Sequence, residues 1–221
     1  SPYELITAAV GAERWQVEIL GKGSHAGVSP EEGISSTMVA AIALSEIHKN
    51  GWFGKIVKNG NHGTSNIGYY GDKEGNCAGS STNQVTDYVK INGESRSPDK
   101  KFVSKISNEY KESFVRASAK VLDVNKHKSK VIFKNHIDYY PFNLNKNLDV
   151  VKFATKISKK IGFAGQNVSC NGGLDANWLI KKKIPTITFG NGHYKPHSIG
   201  EYLNISEFKD SCLYAIALAT N

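Results

Sequence analysis

The stretch GKGSHAGVSPEEG, at positions 21–33, separates two segments of different periodicity. Before it, residues 14–20 alternate apolar and polar side chains, which is typical of a strand. After it, residues 32–50 repeat apolar side chains at helical spacing, and Gly51 supplies a helix stop. The fold is therefore expected to begin with a strand, a glycine-rich turn and a helix.

The same reasoning extends toward the C-terminus. Strand patterns cover 64–71, 85–94 and 129–138, and a helix pattern runs from Pro98 to about position 121. The first helix is expected to turn one set of side chains toward the core, namely Met38, Ala41, Ile42, Ser45 and Ile47. The order strand, helix, strand, strand, helix, strand is that of the ferredoxin-like β-α-β-β-α-β unit, an antiparallel sheet with two helices on one face. Residues 14–138 are therefore expected to form one α+β domain.

From position 139 onward the pattern changes to α/β type, with more helices than strands. Helix patterns cover 148–161, 176–182 and 206–219, and a single strand pattern covers 186–189. Because one strand cannot make a sheet, we expect the 139–221 segment to need partners that lie outside this chain. Residues 1–13 are expected to be a residual segment leading into the first domain, in a chain that looks processed or cut from something longer.

Composition excludes several classes of protein. The 221 residues contain no apolar run of about 18, so no membrane span is expected. The formal charge is +8, but the lysines are scattered, and the 85–94 strand lacks the paired aromatic side chains that stack on RNA bases. A nucleic-acid partner is therefore not expected. Three cysteines without a CxxC pair favour reduced thiols and a cytoplasmic location.

His25 lies between small residues in the opening turn, where another molecule can approach its ring closely. A histidine in such a place can donate a hydrogen bond to a substrate or to a charged intermediate. The alternative is a glycine-rich strand-to-helix loop with an exposed histidine that has no function. The spacing of the residues leaves both interpretations open.

Two later segments offer groups that could bind a carboxylate. Gly172 and Gly173 precede a helix start, so their backbone N–H groups could form an anion cradle. Asp175 follows them at the expected N-cap position, so it could belong to the site or could simply cap that helix. Arg96 follows a strand and could clamp a substrate carboxylate, or it could simply pair with a neighbouring acid, either Glu94 or Asp99.

The loop at 190–202 follows the 186–189 strand and carries His193, His197 and Glu201. Loops after the carboxyl ends of α/β strands commonly form sites, and this set of side chains includes possible metal ligands. The alternative is that His193 and His197 are exposed surface residues without a role in binding.

These loops, taken in order, resemble the dizinc exopeptidase family that includes peptidase T-like tripeptidases, carboxypeptidase G, aminoacylases and succinyl-diaminopimelate desuccinylase (metallopeptidase family twenty). The peptidase T-like branch is the most similar. The matching segments cover nearly the whole chain: GKGSHAGVSPEEG (21–33), GTSNIG (63–68), NQV (83–85), GESRS (93–97), GGLDAN (172–177), IPTITFGNG (184–192) and PHSIGEY (196–202). Each segment is weak alone, whereas seven in order are specific.

The resemblance implies a zinc-dependent hydrolase of small peptides or N-acyl amino acids, with two zinc ions per site. It also implies that residues 14–138 are a lid that mediates homodimerisation, and that residues 139–221 are the C-terminal part of an α/β catalytic domain.

The resemblance implies a role for several individual side chains. His197 corresponds to a zinc ligand, and His25 to a lid histidine that polarises the scissile carbonyl in the partner subunit. Asn83 and Arg96 correspond to lid positions that contact substrate, and Gly172, Gly173 and Asp175 correspond to the substrate-side loop of the catalytic domain. His193 falls at a variable position and receives no role.

The chain departs from the family in one respect. The family's other zinc ligands and its general-base glutamate precede the lid, and no equivalent is found here, because Glu31 and Glu32 belong to the lid motif. We therefore expect that this chain alone has an incomplete metal site. The alternative function is a catalytically inactive dimerisation module of the same family.

Overall fold

The computed structural model describes residues 1–74, 78–79 and 81–221, which form two compact units. The larger unit is Gly11–Asp138, and the smaller unit combines Ser1–Val10 with Tyr139–Asn221. The chain starts in the smaller unit with strand β1 (Glu4–Ala9). Cys170 and Cys212 are free thiols, and Cys77 lies outside the described residues.

The larger unit is a five-stranded sheet with two helices. Its elements are β2 (Gly11–Leu20), α1 (Ser36–Lys49), β3 (Gly54–Lys58), β4 (Asn61–Gly71), β5 (Tyr88–Ser97), α2 (Lys100–Ser118) and β6 (Lys130–Tyr139). The strand order is β3-β4-β5-β2-β6, with antiparallel pairing from β3 through β2. The predicted ferredoxin-like order is confirmed, with β3 as an additional edge strand that the sequence patterns missed.

Alternation along the central strands explains which face of the sheet is buried. Trp15, Val17 and Ile19 of β2 are buried, and they pack with Val89 and Ile91 of β5. Both helices cover this face, so the intervening side chains lie on the opposite, open face of the sheet. Alternation with a period of two therefore predicts the core of this unit correctly.

The expected buried face of α1 is wrong. Of the residues expected to face the core, Met38 is 53 % exposed and Ala41 and Ser45 are also exposed, whereas Ile47 is buried as expected. Val39 and Ala43, which were not expected there, are buried as well. The helix begins at Ser36 rather than near position 32, because the hydroxyl of Ser35 caps it and residues 30–32 form a separate 3-10 turn. Small side chains on the buried face let α2 approach closely, and the Ser113 hydroxyl donates to the Ala43 carbonyl at 2.9 Å.

The smaller unit is built around β1. Its other elements are β7 (Phe142–Asn143), α3 (Asp149–Lys160), β8 (Gln166–Cys170), α4 (Asp175–Lys181), β9 (Thr188–Phe189), β10 (His193–Tyr194), β11 (Tyr202–Leu203) and α5 (Ile205–Thr220). β1 pairs in parallel with β8 and antiparallel with β7 and β9. The expectation that the 139–221 segment has only one strand is wrong, because β7, β8, β10 and β11 also lie in it. Of these, β7, β10 and β11 have two residues each, too few to show a period. The sheet partner that was expected outside the chain is β1, which belongs to the same chain.

Buried aromatic and aliphatic side chains hold this smaller sheet to its helices. Tyr214 of α5 is fully buried beside Leu5 of β1 and Ala154 and Ile157 of α3. Its hydroxyl donates to the Ala154 carbonyl at 2.8 Å, so the one polar atom of the ring is satisfied. Among the described residues, no helix is both long and apolar enough to cross a membrane.

Candidate active site

The His25 loop connects β2 to α1 and is closed at its base by a two-residue bridge. Ile34 donates to the Lys22 carbonyl at 2.8 Å, and Lys22 donates to the Ile34 carbonyl at 3.1 Å. Gly21 permits this closure, because a Cβ at that position would lie only 2.0 Å from the Ile34 oxygen. The bridge between Lys22 and Ile34 therefore holds the two ends of the loop together at the end of β2.

His25 is exposed, and its ring orientation is set by its own loop. The backbone N–H of Gly27 donates to Nδ1 of His25 at 3.1 Å. Nδ1 is thus an acceptor, and the neutral ring carries its proton on Nε2. The Nε2–H group can then donate to a negatively charged oxygen outside the loop.

Asn83 lies beside His25 because the two segments pair through their backbones. The Ala26 N–H donates to the Asn83 carbonyl at 2.9 Å, and the Val85 N–H donates to the Ser24 carbonyl at 3.0 Å. The Ser81 hydroxyl donates to Oδ1 of the Asn83 side chain. The structure therefore brings two of the sequence-predicted site residues together at one end of the sheet.

Arg96 lies at the opposite end of that sheet. It faces Ala12 in the β2 register, whereas the His25 loop adjoins Tyr88 at the start of β5 through a hydrogen bond from Gly21 to Asp87. Arg96 is eight positions after Tyr88 in β5, which corresponds to roughly 26 Å along a strand. Within one chain, Arg96 and His25 are too far apart to contact the same small substrate.

A carboxylate orients the Arg96 side chain. Nε of Arg96 lies 2.9 Å from Oε1 of Glu94, and its Nη2 donates to Oε2 at 3.0 Å. Glu94 also accepts from Nη1 of Arg14 at 2.7 Å, and Nε of Arg14 donates to Asp138 at 2.9 Å. The ion pair with Glu94, one of the two interpretations of Arg96, is therefore present, and it holds the guanidinium in a defined orientation.

A groove of about 570 Å³ lies on the open face of the sheet next to these groups. Its walls include Arg14, Glu94 and Asn92 from the central strands, and Lys134 and His136 from β6. Sequence patterns did not single out Lys134 and His136, because the alternation along β6 does not show which strand of the sheet it will lie beside.

The Gly172–Asp175 loop is less open than its sequence indicates. The Gly172 N–H donates to the Cys170 sulfur at 3.3 Å, and a Cβ at Gly173 would lie 2.5 Å from the Tyr139 ring. Packing therefore requires glycine at position 173, whereas a Cβ at Gly172 would make only an ordinary contact, 3.6 Å from the Cys170 sulfur. Asp175 is the first helical residue of α4, and Leu174, not Asp175, occupies the N-cap position.

Asn177, in the first turn of α4 directly after this loop, is a residue that the sequence reasoning missed. It is 2 % exposed, its Nδ2 donates to the carbonyls of Val10 (3.0 Å) and Tyr140 (2.7 Å), and its Oδ1 accepts from the Leu174 N–H at 2.8 Å. One amide therefore connects three crossing segments. The only sequence signal was its place in the GGLDAN motif.

The His197 loop is organised by Glu201. One carboxylate oxygen lies 2.9 Å from Nε2 of His193, and the other accepts from the His197 backbone N–H at 2.9 Å. These hydrogen bonds, that from His193 first, lower the pKa of Glu201. His197 itself adopts a left-handed φ of 65°. Glu201 therefore engages the His193 side chain and fixes the backbone that presents the His197 ring.

The metal-binding prediction rests on His197 alone in this chain. In the part of the chain that the structure describes, no group of three or more His, Cys, Asp or Glu side chains could hold a metal ion. Glu201 is engaged by His193. These residues therefore do not form a complete metal site by themselves.

Comparisons with known proteins agree with the fold. No family model matches the chain. A Bacillus subtilis (strain 168) protein described as uncharacterized protein YqjE is 29% identical over 214 residues, which are 97% of this chain and 53% of that protein. The aminopeptidase PepT of Bacillus cereus shares 26% identity, covering 97% of this chain and 52% of PepT with a TM-score of 0.76.

Two further solved structures show the same fold. A Staphylococcus aureus tripeptidase matches 98% of this chain and 52% of its own chain, with 24% identity and a TM-score of 0.80. Bacillus subtilis YxeP, described as a dinuclear metal-binding peptidase of the M20 family, matches 99% of this chain and 52% of its own chain, with 16% identity and a TM-score of 0.61.

The chain thus spans about half the length of the proteins that it matches. Its structural neighbours are hydrolases, and the match extends over both units. The resemblance inferred from the seven motifs is therefore confirmed: the chain has the fold of the M20 peptidases over about half of their length.

Proposed function

We propose that this chain is part of a zinc-dependent exopeptidase or amidohydrolase that cleaves small peptides or N-acyl amino acids. The observation that carries the proposal is the separation of His25 and Asn83 from Arg96, at opposite ends of one sheet. His25 and Arg96 of one chain cannot contact the same small substrate, but His25 of one subunit and Arg96 of its partner can. The active form in this proposal is therefore a homodimer through the larger unit. The free thiols of Cys170 and Cys212 favour a cytoplasmic location.

In this proposal each described side chain has one task. Nε2–H of His25 donates to the substrate carbonyl oxygen in the partner's site and stabilises the charge that develops there. Arg96, oriented by Glu94, binds the substrate carboxylate of its own subunit's site. Asn83 donates its side-chain amide beside His25, and Gly172, Gly173 and Asp175 line the substrate side of the smaller unit.

His197 supplies one zinc ligand in this proposal, and the other ligands come from residues outside those described. Zinc would provide the hydroxide that attacks the carbonyl. The similarity that supports this cofactor is the dinuclear metal site in the description of Bacillus subtilis YxeP.

The first experiment asks whether the shared site exists. His25→Ala and Arg96→Ala variants of the longer enzyme are each inactive in the proposal, and mixing them at equal concentration regenerates activity. In a two-fold dimer half of the molecules are mixed, and each mixed dimer has one intact site, so about a quarter of wild-type activity returns. His62→Ala, which changes an exposed strand histidine, is the matched control.

Failure of the mixture to regain any activity would show that His25 and Arg96 serve the same subunit. Full activity of both single variants would exclude roles for both residues in catalysis.

The alternative is that the 221-residue chain is an inactive dimerisation module. The incomplete ligand group around His197 favours it for this chain by itself. Zinc titration combined with a peptide hydrolysis assay separates the two functions. Stoichiometric zinc binding with turnover refutes the module, whereas a dimer that neither binds zinc nor turns over supports it.

A further inference from the structure

The carboxylate of Asp123 is buried and lies outside every motif described above. Its side chain is 0 % exposed, in the connection between α2 and β6. A buried carboxylate is unfavourable unless hydrogen bonds and opposite charges surround it. Its partners therefore show which parts of the fold it organises.

Asp123 first shapes its own turn. Its Oδ1 accepts from the backbone N–H groups of Asn125 at 3.0 Å and His127 at 2.8 Å. Its backbone N–H donates to the His127 carbonyl at 3.0 Å, and Lys126 adopts a left-handed φ of 63°. Residues 123–127 are thus closed into one compact turn around a single carboxylate.

This turn contacts the His25 loop at two points. Nζ of Lys22 lies 3.5 Å from Oδ2 of Asp123, and the Val124 N–H donates to the Glu31 carbonyl at 2.7 Å. Lys22 precedes His25 and Glu31 follows it, so the turn holds the loop on both sides of the histidine. The ring of His127 is the other side chain next to this oxygen, with Nδ1 3.1 Å from Oδ2.

The opposite side of the loop is held by a different segment, through the hydrogen bonds that join Ser24 and Ala26 to Val85 and Asn83. His25 therefore projects from a loop supported from two directions. We propose that Asp123 is a positioning residue for His25, acting through Lys22 and the 123–127 turn. The inference rests on the proposed function for the task of His25, but the physical coupling between Asp123 and the loop does not.

Three variants of the 221-residue chain separate the parts of this coupling. Asp123→Ala removes the acceptor of the turn and the partner of Lys22. Asp123→Asn keeps an oxygen for the backbone N–H groups and removes the charge. Lys22→Met leaves the turn and the hydrogen bond from Val124 to Glu31 intact and removes only the ion pair with Asp123. Lys55→Met, on the exposed edge strand β3, is the matched control.

The measurement is amide hydrogen exchange at Gly27, Val28 and Ser29, whose N–H groups all donate to His25. Exchange is expected to accelerate about tenfold in Asp123→Ala and Lys22→Met, less in Asp123→Asn, and not in Lys55→Met. The ¹⁵N shifts of the His25 ring are expected to move toward a mixture of tautomers in the same two variants, while amides of β5 keep their protection.

Unchanged exchange and unchanged ring shifts in both Asp123→Ala and Lys22→Met would overturn the proposal. If Asp123→Ala does not fold, Lys22→Met decides, because Lys22 is half-exposed and outside the core. A loosened loop in these variants, together with a longer wild-type enzyme that hydrolyses no small peptide or N-acyl amino acid, would refute the proposed function and leave the positioning role intact. Hydrolysis by the longer enzyme together with an unaffected loop in the variants would refute the positioning role alone.

Discussion

The backbone N–H of Gly27 donates a hydrogen bond to Nδ1 of His25, with 3.1 Å between the two nitrogen atoms. The acceptor nitrogen cannot carry the proton of the neutral ring, so Nε2 carries it. A donor that points away from the loop is the form needed to stabilise an oxyanion. One local hydrogen bond therefore selects the tautomer that the role proposed for His25 requires.

Gly27→Pro should release that selection, because proline has no N–H group. Gly27→Ala keeps the N–H, and its Cβ would meet Cε1 of His25 at an ordinary 3.6 Å. We expect ¹⁵N shifts to show both tautomers in the proline variant and one in the alanine variant. In the longer enzyme, kcat of the proline variant should fall, by at most the ~10²–10³ of a lost oxyanion donor. An equal fall in both variants would contradict this explanation.

Gly93 is needed because the Trp15 ring lies against its backbone. A Cβ at Gly93 would stand 2.1 Å from Cζ2 of Trp15, whereas a Cβ at Gly68, in the adjacent strand, would meet nothing within 4 Å. We expect Gly93→Ala to lower the free energy of unfolding by about 1–3 kcal/mol through overpacking. Gly68→Ala should change it by less than about 0.5 kcal/mol. Urea unfolding curves check the difference, and equal midpoints would contradict it.

Asn177 should be important for the stability of the smaller unit. Asn177→Ala leaves the carbonyls of Val10 and Tyr140 and the N–H of Leu174 without their partner. We expect a loss of about 2–4 kcal/mol, since each unpaired buried group costs about 1–3 kcal/mol. Native-state amide exchange in β1 measures this loss within the unit, with the exposed Asn171→Ala as control. Wild-type protection in β1 would show that water replaces the amide.

Asp123 should make the larger unit sensitive to acid. Burial raises the pKa of Asp123, but hydrogen bonds from the His127 backbone and ring and from Asn125 outweigh it, so the pKa lies below its ordinary value. A carboxyl group of this kind stabilises the fold above its unfolded pKa of about 3.9. That stabilisation disappears as the pH falls through the lower pKa of the folded state.

The thermal midpoint of the wild-type chain should therefore fall more than that of Asp123→Asn between about pH 5 and pH 2. Asp175→Asn, which changes an exposed carboxyl group, serves as the control and should follow the wild type. Parallel pH profiles for wild type and Asp123→Asn would show that the carboxylate is not linked to folding.

Sequence periodicity predicts the larger unit well for a physical reason. Its sheet has one buried and one open face, so β2 and β5 alternate, and α2 is long enough to show its period. The face of α1 was predicted less well, because small side chains line its buried side. The short strands β1, β7 and β8 of the smaller unit show no such signal. Their pairing depends on contacts between segments more than 130 residues apart in the chain.

The sequence by itself determined the chemical character of the candidate site: a histidine between small residues, an arginine near acids, two glycines before a helix and a histidine in the last loop. Only the tertiary structure decided how these groups are arranged. Strand register places His25 beside Asn83 and far from Arg96, because β5 extends rigidly between them. Side-chain geometry decided that Glu94 orients Arg96, that Glu201 engages His193, and that Asp123 supports the His25 loop. Distances of this kind depend on how distant segments pack, which residue types and spacing do not specify.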